Sequence, residues 1–126
     1  MPETTLKTAV AQFNAREFYA CHDCLEAMWI ESLEPNKTFY QGLLQVAVGC
    51  YHLQNHNWRG AATLLGEGVR RLHGYQPDYQ QVDVAQLVEQ SLTLLETVQQ
   101  TPPEAIATLD APLPQVTWLA EPTQLD

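Results

Sequence analysis

The run His22-Asp23-Cys24-Leu25-Glu26, continued by Trp29, carries the side chains of this chain best suited to chemistry. On an α-helix, residues four apart sit on neighbouring turns of one face, so His22 and Glu26 come within reach of each other. An imidazole beside a carboxylate can ligate a divalent cation, as facing helices of bundles do with the same donors. It can also exchange protons as an acid–base pair. A second set lies downstream. Gln41, Gln45 and His52 fall on one narrow stripe of an otherwise apolar segment, and polar groups inside a core need partners. If the two stripes face each other, His22, Glu26, Gln45 and His52 converge, with His22 buried among Phe18, Leu25 and Trp29. The candidate ligand-binding residues are therefore His22, Glu26, Trp29, Gln41, Gln45 and His52. The candidate metal ligands are His22, Glu26 and His52. The competing expectation is a sealed polar network that fixes helix register and does no chemistry.

Two other groupings carry less. Cys21-x-x-Cys24 has the spacing of a redox pair, but that motif belongs at a helix start after a strand, and here it lies inside a helix. With Cys50 and His52 it makes an acceptable zinc ligand set, yet no second paired motif accompanies it, and buried thiols serving as small apolar groups are the commoner case. His52-x-x-x-His56 has helical spacing, but Asn55 ends the helix between the two. The Glu-x-x-His arrangement of di-iron bundles, a phosphate loop and a cofactor signature are all missing from the sequence, so it names no cofactor.

The elements that must position these residues are helical. Apolar residues recur at helical spacing in five segments: Thr5 to Phe13, about Arg16 to Ser32, Lys37 to about Gln54, Trp58 to about His73, and a fifth opening at Asp83 and stopping at Thr101-Pro102-Pro103. The third is apolar on most sides, as a central bundle helix is, and the second is expected beside it at the centre. Its Gly42 and Gly49 share a face, and since glycine in a helix costs about 1 kcal/mol relative to alanine, they predict a close helix–helix approach. Asn57 is a fit N-cap for the fourth helix. Asp83 with Gln86 reads as a capping box for the fifth, and Gly74 as a stop for the fourth. Strand patterns are nearly absent. The expected fold is thus all-α: an antiparallel bundle of about five helices over residues 1–100, with a Pro-rich tail over 101–126 lying along it or trailing from it.

Composition narrows the partners. The 126 residues suit one domain, and a hydrophobic fraction of 45% is enough for a core. The net charge is −9, with six Lys and Arg in all. Phosphate backbones and anionic membranes are bound through clustered basic side chains, so neither nucleic acid nor a membrane is an expected partner. No apolar run is long enough to span a bilayer, and Met1-Pro2-Glu3-Thr4-Thr5 lacks the start of a secretory signal. Three cysteines are a poor disulfide framework and suit a reducing cytoplasm.

The same residues carry a resemblance. The runs Phe13 to Trp29 and Phe39 to Val48, then Tyr51-His52 and Asn57-Trp58-Arg59-Gly60-Ala61, resemble the uncharacterised prokaryotic family named "domain of unknown function 309". Shared features are a His-acid-x-x-Glu-x-x-Trp helix, a Gln-Gly-Leu helix ending in Tyr-His, and an Asn-x-x-Gly-Ala helix start. Here the acid after His22 is Asp23, where the family commonly has Glu. The resemblance implies an all-helical bundle, marks His22, Glu26, Trp29, Gln41, Gln45 and His52, and brings no activity, substrate or cofactor with it. Two functions follow from these readings. One is a cytoplasmic helical interaction or homo-oligomerisation domain with a buried His/Glu/Gln network. The other is a bundle that binds a small molecule or a divalent metal through His22, Glu26 and His52.

Overall fold

The computed structural model describes residues 4–120; Met1–Glu3 and the end of the expected tail, 121–126, lie outside the described residues. Five α-helices follow one another: α1 (Leu6–Asn14), α2 (Phe18–Glu31), α3 (Asn36–Gln54), α4 (Trp58–Leu72) and α5 (Val84–Gln100). The class is all-α, as the periodicity predicts. Helix α3 is the central member. It packs most extensively on α4 and then on α2, while α1 covers α2 and α5 covers α4. Its Phe39, Leu43, Val46, Ala47 and Cys50 are buried, because neighbours close over it on two sides.

The glycines of α3 do what their cost predicts. A methyl group on Gly42 would come within 2.8 Å of Leu72 Cγ, and one on Gly49 within 2.8 Å of Leu65 Cγ. Both leucines belong to α4, so the two helices approach closely along this seam. Connections are short and capped locally. Thr5 accepts from the Thr8 amide at 3.2 Å, and Asn57 from the Gly60 amide at 2.9 Å; each satisfies an amide that has no partner within its helix.

Three local expectations are corrected. Asp83 caps α5 through the Gln86 amide at 3.0 Å, but there is no capping box. The Asp83 amide donates instead to Thr117 O at 2.9 Å, and Gln86 Oε1 is buried without a partner. Gly74 does not stop α4 in a left-handed turn. The chain tightens into a 3-10 turn over His73–Tyr75, and no described glycine has positive φ. A small antiparallel hairpin, β1 (Asp78–Tyr79) and β2 (Val82–Asp83), follows that turn. Gln80 and Gln81 form its two-residue loop with φ of 50° and 68°, the conformation of a primed hairpin turn. Asparagine or glycine would have announced that turn; two glutamines do not.

The C-terminal segment packs on the bundle. After a 3-10 turn at Pro103–Thr108 it runs back to α1 and to the hairpin. Asn14 Nδ2 donates to Val116 O and Val116 N to Asn14 Oδ1, both at 2.9 Å. Arg16, in the α1–α2 turn, donates to Pro114 O at 3.0 Å. Leu119 N donates to Gln81 O at 2.7 Å.

Candidate functional site

Helix α2 is anchored by Phe18, Cys21 and Leu25, all buried. With these on the inner face, helical geometry turns His22, Glu26 and Trp29 to the flank towards α3 and leaves Tyr19 and Ile30 outermost. The six candidate residues distribute over two neighbouring cavities between these helices. The first, about 130 Å³, is lined by Tyr19, His22, Val48, Tyr51 and His52. The second, about 170 Å³, is lined by Glu26, Trp29, Gln41, Leu44, Gln45 and Leu64. His22 and His52 therefore share one space, and Glu26, Trp29, Gln41 and Gln45 share another.

The expected buried His/Glu/Gln network is not what these residues form. His22 is half-buried, with a side chain 27% exposed, and Glu26 is exposed. Gln45 alone of the set is buried, and its partners come from α4. Gln45 Nε2 donates to Glu67 Oε1 at 3.1 Å, and Arg71 donates to Gln45 Oε1 at 3.4 Å. The physical reason is the flank. Cys21 and Leu25 take the inner face of α2, so residues one step round from them reach only the mouth of the groove. Glu67 and Arg71 were missed because the fourth helix reads from its apolar stripe, and nothing in that stripe identifies the side chain they meet.

Asp23 is the other difference. It is exposed, as its position on the helix predicts, but its carboxylate turns back on His22, with Oδ1 3.2 Å from Nδ1. One ligand atom from each of His22, Asp23 and Glu26 lies within 4.8 Å of the others. The third member of this cluster is thus Asp23 where the spacing suggested His52. His52 stands across the first cavity, its Nδ1 3.3 Å from Asn57 Nδ2. Its ring lies against the start of α4, where a methyl on Gly60 would meet it at 2.7 Å. His56 is the exposed loop residue the sequence predicts.

Trp29 is half-buried and is held by Lys37. The ammonium sits 4.6 Å from the ring centroid and donates to Trp29 O at 2.8 Å. That contact combines a cation over an aromatic face with a cap on the last turn of α2. The three thiols are buried. Burial pushes Cys21 and Cys50 up to about 12, Cys21 with added repulsion from the neighbouring thiols. Thiols held protonated neither ligate nor attack. Among the described residues, the cysteines join no cluster of three or more metal-capable groups.

Fold and site together define a class: a small all-helical bundle with a His–Asp–Glu cluster on α2 whose His22 and Glu26 each line a cavity against α3. Residues 6–64 match the model of the family described as "Domain of unknown function (DUF309)". The resemblance drawn from the motif residues therefore holds over that segment, which contains α1 to α3 and the start of α4. The chain is also 34% identical over 65 residues to "Uncharacterized protein YpuF" of Bacillus subtilis (strain 168), an alignment covering 50% of this chain and 37% of the relative. The match thus spans well under half of that relative's length. Among the described residues no helix is long and apolar enough to cross a membrane.

Proposed function

We propose that this domain binds a divalent cation at the outer flank of α2, with His22 and Glu26 as ligands, Asp23 as the third, and His52 facing them across the first cavity. One observation carries the reading: His22, Asp23 and Glu26 bring a nitrogen and two carboxylate oxygens within 4.8 Å of one another at a surface open to solvent. Donors around a zinc-sized ion bound at about 2.1 Å stand closer together than that. Glu26 is exposed, so a rotamer change is enough to close the set. A nitrogen and two oxygens suit zinc, manganese or cobalt. The test is calorimetric titration of tag-free, chelator-treated protein with Zn²⁺ and Co²⁺. One ion should bind per chain, and His22→Ala and Glu26→Gln should each weaken it at least tenfold with helicity intact. Unchanged affinity in both variants overturns the assignment.

A second reading has its own observation. Tyr19, Ile30 and Leu33 are exposed large apolar residues on and just after α2, which supports a helical interaction or self-association domain. Sedimentation equilibrium tests it: a strict monomer at high concentration removes self-association. We propose a cytoplasmic location, since an odd number of cysteines is a poor disulfide framework and suits a reducing compartment.

A further inference from the structure

The first cavity has a lining that metal binding does not account for. Four of its five residues are aromatic rings: Tyr19, His22, Tyr51 and His52, with Val48 between the helices. The rings form a continuous run. Tyr19 and His22 have centroids 6.0 Å apart with planes at 26°. Tyr19 and Tyr51 are 5.6 Å apart at 38°, and Tyr51 and His52 are 6.1 Å apart at 56°. Helix α2 supplies one pair and α3 the other, so the run wraps two walls of a space that is open on one side. Tyr19 is 62% exposed. A large ring left in water at the edge of a cavity has contact area to spare for a guest.

We propose that Tyr19, His22, Tyr51 and His52 form an aromatic cage for the headgroup of a small quaternary ammonium compound. Four considerations select that chemistry. Ring faces carry the negative lobe of the quadrupole and attract a cation, which is how aromatic cages hold quaternary ammonium groups. The lining is almost wholly apolar. A primary ammonium would therefore bring three N–H donors to a space with few acceptors, whereas a quaternary group has none to satisfy. Size agrees as well. The cavity is about 130 Å³, and a cavity of about 150 Å³ holds benzene, so there is room for a trimethylammonium group. Finally, Asp23 and Glu26 stand on adjoining turns of α2, no Lys or Arg lines the space, and the whole chain carries a net charge of −9, all of which favour a cation. The cage shares His22 with the cation cluster but does not depend on a metal being bound there.

The experiment uses the full chain in EDTA at fixed ionic strength, titrated by calorimetry with tetramethylammonium chloride and with choline. The neutral isostere 3,3-dimethyl-1-butanol is the control. Saturable one-to-one binding of both cations is expected, with the isostere at least tenfold weaker. Tyr19→Leu, a change at an exposed position, should weaken tetramethylammonium binding about tenfold, the order that losing one ring contact removes. Tyr51→Phe keeps the ring and should bind within about threefold of the parent chain. Equal binding of cation and isostere, an absence of saturation, or a Tyr19→Leu variant that binds as before overturns the cage. Zn²⁺ titration of Tyr19→Leu, run separately without EDTA, should match the parent chain, so the loss of one site is read apart from the loss of the other.

Discussion

Replacing Gly68 with alanine should destabilise the protein, while the same replacement two residues earlier, at Gly66, should stabilise it. Both glycines lie in α4, so both gain about 1 kcal/mol of helix propensity. They differ in what the new methyl meets. At Gly68 it would lie 2.6 Å from Val46 Cγ2, 2.9 Å from Val46 N and 3.0 Å from Gly42 O. The last two are backbone atoms of α3, and Val46 is fully buried with a stiff, branched side chain. Carbon contacts settle near about 3.5–4.0 Å, so relief requires α3 and α4 to part along the seam that Gly42 and Gly49 keep tight. Overpacking of this kind costs about 1–3 kcal/mol, and because backbone must move, the upper part of that range applies. The net loss for Gly68→Ala is then about 1–2 kcal/mol. At Gly66 the methyl meets Leu95 Cδ2 alone, at 3.9 Å, an ordinary contact, so a gain of about 0.5–1 kcal/mol is expected. Urea unfolding followed by far-UV circular dichroism measures both, with equal slopes confirming that the midpoints report stability. If both variants shift the midpoint in the same direction, the close α3–α4 approach is not what these glycines provide.

Two further outcomes follow from the described contacts. Cys21 and Cys50 are raised to about 12 by burial, so the folded thiols keep their protons where unfolded ones ionise near about 8.5. Their contribution is complete below that value and is lost as pH rises towards 12, at up to about 1.4 kcal/mol per pH unit for each thiol. Urea midpoints across the alkaline range should fall less steeply for Cys50→Ala than for the parent chain; identical slopes would contradict the burial of Cys50. Separately, Asn14→Ala removes both hydrogen bonds that tie Val116 to the end of α1. Amide exchange at Val116 should accelerate by at least tenfold while exchange within α3 is unchanged, and unaltered protection at Val116 would show that the hairpin contacts alone hold the segment.

Helix count, order and the central place of α3 were legible in the chain because they depend on local quantities: the spacing of apolar residues, a few capping side chains, and glycines set at a cost into one helical face. So was the neighbourhood of the candidate site, since all six residues marked by pattern line the groove between α2 and α3. Their arrangement was not. Helical spacing gives the angle of a side chain about its own axis, but not how far the neighbouring helix has rolled towards it. That roll leaves Glu26 exposed, gives Gln45 to Glu67 and Arg71, and sets the Tyr19 and Tyr51 rings 5.6 Å apart across the groove. Likewise the Gln80–Gln81 turn takes its left-handed form under contacts from Asn36, Tyr40 and Leu119, not from its own residue types. Sequence alone thus determined which surfaces face inward, because burying apolar area dominates and is encoded residue by residue. Tertiary packing decided which polar groups meet, because hydrogen bonds and ring contacts depend on distances of a few ångströms between segments that no local pattern specifies.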